Sequence, residues 1–441
     1  MFYIVEQDTK LDILMRLAKR GAYIDIISSN DTLHPFLSET LAIYIRPLSA
    51  KHGFLIPINH REGLNVDKDS VHGMLKECKN LYTLDKKNLL YHFNLQGATD
   101  LSLLYSMTKF DKLEYSRENK IVNPFYNKHR GKRSINSYIP LSKLYESSEK
   151  IFKQVEHVIN FNIPPGFEFY NNIATNVFLL LEQSGLGVHY EAYKELFNPR
   201  DITLNTADNS VYTYYNLYNI TSRPTNAFNS VNFAAIPKSE EHRKCFLPKN
   251  DCFVEFDFDG YHLRLLCDEI DYKLTSESAH KQLAKHYFGK EDITDEEYTQ
   301  AKQINFHAIY GSIPEKHKNL PVFVKIQNYI DKLWKDYEES GAVYNSHSGK
   351  PFTKELKDMN PAKLMNYMMQ SLETSRNILI LKEVLRYLQG KKTKVALYTY
   401  DALLFDFSKE DGKETLEDIQ KILESSGTYP VKFKHSKNLV L

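Results

Sequence analysis

An α+β protein of two to four domains is the fold class that the sequence predicts, and three observations predict it. The chain has 441 residues, against about 100–200 for an ordinary domain. Its first 106 residues alternate β-branched apolar runs with helical patterns, as a small α/β domain does. Its last part carries a strand-turn-helix run, DCFVEFDFDGYHLRLL, then a long helical pattern and a hairpin, KVALYTYDALLFDF. Hydrophobic residues make up 42% of the chain and charged residues 26%, enough to bury real cores.

Composition excludes several function classes. No run of about 18 apolar residues occurs, which argues against a membrane-spanning helix and a membrane partner. The start, MFYIVEQDTKLDILMRLAKRG, lacks the basic, apolar and small-residue order of a secretory signal. Cys78, Cys245, Cys252 and Cys267 form no CxxC pair, so neither a zinc knuckle nor a disulfide framework is indicated. A reducing, cytoplasmic setting is the expectation. With 57 Lys+Arg against 56 Asp+Glu the net charge is only +1, unlike a nucleic-acid coat protein, though local basic clefts remain open. The 30 Tyr and 25 Phe beside abundant Lys, Asn and Ile read as the mark of an AT-rich genome.

Along the chain, GAYIDIISS, TLAIYIRPL and GFLIPIN read as strands between Gly, Pro and Asn breakers, and residues 72–82 and 86–93 as helices. Residues 111–137 are polar, with a basic cluster NKHRGKRSIN that reads as a solvated linker or a phosphate contact. Helices follow at 141–159 and 167–184, parted by the FNIPPG break. Beyond Asn198-Pro199 come β-like ITLN and SVYTYYNLYNI, then an irregular stretch from Thr221 to Lys238. Helices are expected at 276–288, 295–311, 361–389 and 413–425, with a mixed region before the third and a last strand, YPVKFKH.

Two acidic residues sit where chemistry could use them. Asp257 ends the alternating run VEFDF before a glycine turn, and Asp401 lies between the two strand-like halves of LYTYDALLFDF. Carboxylates on adjacent strand ends can converge within about 4 Å and hold two divalent cations, as in-line phosphoryl transfer requires. Such aspartates also cap helices and make turns. The helix YTQAKQINFHAIYGS adds Lys302, Phe306 and Tyr310 at i, i+4 and i+8, on one face. A cation beside two aromatic rings suits a triphosphate and a base, whereas an aromatic stripe alone is commonly core. Gly311 is the expected stop of that helix.

Together these segments resemble, in order and spacing, the polymerase domain of family A DNA polymerases, the bacterial DNA polymerase I type. Asp257-Phe258-Asp259-Gly260-Tyr261-His262-Leu263-Arg264 resembles the family's motif A, DYSQIELR. The stretch from Lys302 to Gly311 resembles motif B on the fingers helix, and Tyr400-Asp401-Ala402 resembles motif C, HDE. His280, nine residues before Gly289, falls at a triphosphate-contacting histidine of the fingers. Asn366 and Gln370 in LMNYMMQSLETS are similar to the NAPMQGTA helix. Thr221-Ser222-Arg223 with Asn232 and Ile236-Pro237 is similar to TGRLSS…NLQNIP. The matches cover about residues 167–441.

The resemblance implies a right-hand polymerase with an antiparallel-sheet palm and helical fingers. It implies two Mg²⁺ ions on Asp257 and Asp401 with the Phe258 carbonyl, Lys302 and His280 at the triphosphate, and Phe306 and Tyr310 at the sugar and base. Arg223, Asn232, Asn366 and Gln370 would hold primer-template DNA without reading its sequence. The implied substrates are deoxynucleoside triphosphates, and the implied reaction is addition to a primer 3′-hydroxyl.

Departures from the family pattern matter. The acidic residue that gates the sugar falls on His262, an expected arginine on Tyr298, and the motif C carboxylate on Ala402. His307 replaces a small residue. Only about 25 residues (187–210) stand where the family has a long thumb, so weak grip on DNA and a processivity or replisome partner are expected. The first 106 residues resemble a shrunken 3′–5′ exonuclease domain: Asp25 is present, but Ile27 and Leu89 replace metal-binding acids, so no proofreading is expected. The expected order is this domain at 1–106, a linker and connecting helix at 107–165, a reduced thumb at 166–210, palm at 211–270, fingers at 271–345 and palm again at 346–441. Compactness and divergence point to a phage or similar element, acting in an infected bacterial host. Two other classes stand beside the polymerase: a single-subunit RNA polymerase or primer-making enzyme, favoured by His262, and a non-catalytic nucleic-acid-binding replication scaffold, favoured by the lost groups.

Overall fold

A computed structural model describes residues 3–7, 10–116, 120–197, 204–205, 207–226, 231–237, 239–310, 313–425 and 428–441. The chain divides into two compact units. One comprises Met1–Gly185, Tyr193–Tyr218 and Asn226–Asn232; the other comprises Leu186–Ala192, Asn219–Thr225 and Phe233–Leu441.

The N-terminal unit is built on a five-stranded mixed sheet. In chain order its elements are α1 (Leu11–Ala18), β1 (Ala22–Ser28), β2 (Thr40–Pro47), β3 (Phe54–Pro57), α2 (Lys68–Lys76), β4 (Leu81–Thr83), α3 (Lys86–His92), β5 (Ala98–Asp100) and α4 (Leu101–Lys109). Helices α5 (Asn123–Lys128), α6 (Leu141–Val155) and α7 (Thr175–Glu182) follow. The strand order is β3-β2-β1-β4-β5; β1 runs antiparallel to β2 and parallel to β4. Every residue of β1 is buried, which explains why it is apolar at nearly every position: helices cover both of its faces. Leu14, Ile24, Ile43, Leu75 and Leu89 pack into one core there.

The helix expected at 72–82 lies instead at α2. Asp67 accepts the Ser70 backbone N–H at 2.7 Å and so starts the helix earlier. Leu81–Thr83 then pairs with β1 as a strand, and this long-range pairing overrides local helical propensity. Of the exonuclease-like positions, Asp25 is buried with the Ser148 hydroxyl 3.4 Å away, while Ile27 and Leu89 are apolar core. Elsewhere in this unit Glu182 is fully buried, paired with Lys87, and accepts from the Tyr91 hydroxyl at 2.9 Å and the Tyr215 N–H at 2.6 Å. Burial still pushes Glu182 up to about 7. The segment expected as a thumb, 166–210, contains α7 and a helix α8 (Tyr190–Phe197). Asn198-Pro199 and the first residues of ITLN lie outside the described residues, as does Lys238.

The C-terminal unit places the site. Strand β6 (Cys252–Phe258) leads into α9 (Tyr261–Glu269), followed by α10 (Ala279–Phe288), α11 (Asp295–Ile309) and α12 (Pro321–Ser340). A short hairpin, β7 (Ala342–Tyr344) and β8 (Pro351–Thr353), precedes α13 (Pro361–Tyr387), β9 (Lys394–Thr399), β10 (Ala402–Phe407), α14 (Glu414–Glu424) and β11 (Val431–Ser436). The sheet is antiparallel in the order β9-β10-β6-β11, and α13 packs against α9, α12 and α14. Along β6, Val254, Phe256 and Phe258 are buried while Glu255 is half-buried and Asp257 exposed. This period-2 alternation gives the sheet one packed face and one open face. Helix α12, in what reads from sequence as a mixed region, starts at Pro321 and stops at Gly341, whose φ of 78° suits glycine. Gly311, the expected end of α11, lies outside the described residues. All four cysteines are free thiols, and among the described residues no helix is long and apolar enough to cross a membrane.

Candidate active site

Strand register brings the two aspartates together. Asp257 on β6 pairs with Ala402, the residue after Asp401, and the Phe258 N–H donates to the Asp401 carbonyl at 3.2 Å. Asp401 sits in the two-residue turn between β9 and β10, where Tyr400 takes a left-handed φ of 59°. Although both side chains are solvent-accessible, loss of water inside the cleft and then the neighbouring Asp401 push Asp257 up to about 6, and the same desolvation and then Glu373 raise Asp401. Two adjacent carboxylates that resist ionisation make a site short of positive charge.

The rest of the cleft, about 280 Å³, surrounds them. Helix α11 presents Lys302, Phe306 and Tyr310 along one face into it, as their spacing requires. Phe306 is exposed, its ring centroid 4.9 Å from that of Tyr310. The helix begins with a capping box between Thr294 and Glu297, which fixes where its turns fall. From α10, His280 enters the cleft with Nδ1 3.0 Å from the Asn305 side-chain amide nitrogen. Burial, with Lys302 adding to it, lowers His280 to about 4, so it is neutral at pH 7. Because the Asn305 amide donates to Nδ1, the ring proton sits on Nε2. His280 therefore offers a hydrogen bond and no charge. Tyr298 also lines the cleft, edge-on to His280.

Motif A divides its labour. Phe258 lines the cleft with its ring stacked 4.4 Å from that of Tyr261. Gly260 has φ of 58°, and a Cβ there would approach that of Ala279 to 3.0 Å, so the turn and the closeness of α10 both require glycine. Asp259 accepts the Ala279 N–H at 3.0 Å and pairs with Lys432 at 2.6 Å; these bonds outweigh burial and hold its carboxyl low. Arg264 is 1% exposed and donates to the carbonyls of Asp259, Thr275, Glu277 and Thr428. It is a structural tie.

His262 lies inside the cleft, its Nε2 2.7 Å from Glu373 Oε2 and its Nδ1 3.2 Å from the Tyr310 hydroxyl. Arg223 reaches the same carboxylate, Nη2 standing 3.1 Å from Oε2, while its guanidinium covers the Tyr400 ring at 4.0 Å. Gln370 and Asn366 are not among the residues that line the cleft; Gln370 donates to Asn366 at 2.9 Å and accepts from the Thr221 hydroxyl at 3.3 Å. Asn232 is an exposed residue of the N-terminal unit. Ala402 is half-buried beside Asp401, and His307 is exposed on α11.

Sequence reasoning missed two residues, both on α13. Glu373 is 0% exposed and faces the cleft. Asn377 accepts from the Tyr261 hydroxyl at 2.6 Å and donates to the Tyr398 hydroxyl and the Tyr400 carbonyl, both at 3.1 Å, which pins the turn bearing Asp401. Charged and amide residues four apart in the middle of a long helix, Glu373 and Asn377, were the available signal.

The carboxylates offer oxygen donors of the hard type that Mg²⁺ takes, and Mg²⁺ sites use one or two carboxylates with substrate phosphates and water. Asp257 and Asp401 fit such an ion; Asp259 is committed to Lys432 and the Ala279 N–H.

No protein-family model matches the chain. Over 218 residues it is 25% identical to DNA polymerase I of Caldicellulosiruptor bescii, covering 42% of this chain and 26% of that protein. Over 228 residues it is 24% identical to DNA polymerase I of Helicobacter pylori, covering 44% and 25%. The chain thus spans about a quarter of the length of these curated relatives. Its fold is similar to the polymerase domain of Pol1 from M. smegmatis, solved in complex with DNA primer-template and dNTP, at a TM-score of 0.69 and 12% identity over 99% of both chains. In sequence the chain resembles family A DNA polymerases of the polymerase I type, and in fold it matches a polymerase domain.

Proposed function

We infer that this chain is a template-directed DNA polymerase that adds deoxynucleotides to a primer 3′-hydroxyl by two-metal-ion nucleotidyl transfer. The observation that carries the reading is the register of Asp257 beside the Asp401 turn, in one cleft with Lys302, Phe306 and Tyr310. Asp257 and Asp401, with the Phe258 carbonyl, would hold two Mg²⁺ ions, which when bound lower the pKa of the attacking hydroxyl and offset charge on the leaving pyrophosphate. Lys302 binds the triphosphate by charge, and neutral His280 donates one hydrogen bond to it. Phe306 and Tyr310 give the base an aromatic surface. Arg223, held by Glu373, stands beside the Asp401 turn on the side of the Asn366–Gln370 pair, the arrangement expected of a primer-template contact. Asn232 belongs to the same expected set.

The palm is 211–270 with 346–441, the fingers 271–345, and 166–210 a reduced thumb whose grip on DNA a replisome protein completes. Residues 1–106, joined through a linker at 107–165, act as a degenerate exonuclease-like module without proofreading, because Ile27 and Leu89 offer no metal ligand. A phage or similar element is the proposed source.

The test is extension of a 5′-labelled primer with Mg²⁺, each deoxynucleotide supplied singly on four templates that differ at the next base. Addition only of the complementary nucleotide is expected. Addition with ribonucleotides alone supports an RNA polymerase or primer-making enzyme. No addition despite tight primer-template binding supports a replication scaffold.

A further inference from the structure

Two side chains that face the cleft from different elements converge on one carboxylate. Arg223 comes from the loop after Tyr218, His262 from the first turn of α9, and both end on Glu373 in the middle of α13. Glu373 is fully buried. A buried carboxylate is costly unless it is paired, and Arg223 and His262 are the partners that offset Glu373. Both ring nitrogens of His262 are engaged: Nε2 faces Glu373, and Nδ1 lies 3.2 Å from the Tyr310 hydroxyl. A chain of two hydrogen bonds thus runs from the end of α11 through His262 to α13.

The position of this chain gives it a role. His262 bonds to Tyr310, next to the aromatic surface, and lines the same cleft as Asp401. A nucleotide is ordered phosphate, sugar, base. A rigid imidazole between the carboxylates and the aromatic rings meets its sugar. We propose that Glu373 is a positioning residue that sets sugar selectivity: by fixing the His262 ring and, through it, Tyr310, it closes the space that a ribose 2′-hydroxyl needs. The inference rests on the nucleotide-polymerising reading and names its substrate class as deoxynucleotides. A free imidazole could rotate away or bond to the extra hydroxyl; one bound at both nitrogens can do neither.

The experiment compares wild type with Glu373→Gln, Glu373→Asp, His262→Ala and the Glu373→Gln/His262→Ala double variant, using the full chain on primer-template DNA. Single-nucleotide incorporation gives kcat and KM for a deoxynucleotide and the matching ribonucleotide. Glu373→Gln keeps the size of the side chain but loses the charge-assisted bonds, and the deoxy-over-ribo ratio of kcat/KM should fall about tenfold. Deoxynucleotide KM should rise by a larger factor than kcat falls. Glu373→Asp should restore part of the ratio. The double variant should lose no more selectivity than His262→Ala alone, since Glu373 acts through that ring. Equal losses for both sugars in Glu373→Gln, or additive losses in the double variant, would overturn the inference and leave Glu373 a stabilising residue. If wild type extends no primer, the polymerase reading fails first. Equilibrium binding of the two nucleotides to the protein on a dideoxy-terminated primer-template then decides: preference for the deoxy form that Glu373→Gln removes upholds the inference, and equal or absent binding overturns it.

Discussion

Lys350 should make the C-terminal unit more stable as the pH rises from 6 to 9. The residue is wholly buried just before β8, where its ammonium donates to the Ser222 hydroxyl and to the Asn219 carbonyl at 3.2 Å. It thereby clamps the loop that carries Arg223, in which Ser222 holds a left-handed φ of 55°. Burial lowers Lys350 from its usual 10.5 to about 7. The unfolded chain therefore binds the extra proton between about pH 7 and 10.5, and stability rises with pH through that window. Linkage at about 1.36 kcal/mol per pH unit gives a gain of about 2–3 kcal/mol between pH 6 and 9. Urea denaturation followed by Trp334, the single tryptophan, which lies on α12 in this unit, reads the change. Other groups titrate in the same range, so the quantity to compare is wild type minus Lys350→Met. That difference should grow by about 2–3 kcal/mol in favour of wild type. A difference that is flat, or that shrinks as the pH rises, would refute a lysine with depressed proton affinity at this place.

Replacing Lys302 by Ala should raise the nucleotide KM by about 10- to 100-fold and primer-template affinity much less, since a phosphate cation is lost; equal weakening of both would contradict its placement. Asn377→Ala removes one hydrogen bond each from the Tyr400 carbonyl and the Tyr261 and Tyr398 hydroxyls, so a loss of about 1–3 kcal/mol in stability and a fall in kcat are expected, read by denaturation and single-turnover extension. A labelled primer with a mismatched 3′ end should not be shortened by wild-type protein with Mg²⁺, and Asp25→Asn should change nothing; metal-dependent trimming lost in that variant would show a working exonuclease.

What the sequence made legible depended on how local the constraint is. Asp257, Asp401, Lys302, Phe306 and Tyr310 lie in short segments whose spacing alone sets their faces, and the cleft brings all five together. The strands around Asp257 were readable because β6 alternates buried and exposed residues. Long-range effects were less visible. Leu81–Thr83 is a strand through its pairing with β1 on one side and β5 on the other. Helix α12 carried its signal, with Val322, Ile326 and Ile330 buried at every fourth position after a proline start, but lay in a stretch without a chemical motif to draw the eye. Glu373 was hidden for a different reason: one acid among the polar residues of a long helix stands out only once Arg223 and His262 are seen to meet it. His280, read as a triphosphate partner, enters the cleft as a neutral donor because burial removes its charge.

The central claim is that Asp257 and Asp401 act as one site for nucleotidyl transfer. Its most direct test is single-turnover incorporation of one complementary deoxynucleotide with Mg²⁺, by wild type, Asp257→Asn and Asp401→Asn, at concentrations that saturate primer-template. Each variant should bind primer-template as wild type does and lose incorporation by about a thousandfold or more, as loss of a metal-bearing carboxylate requires. Incorporation within about tenfold of wild type in either variant would contradict the claim.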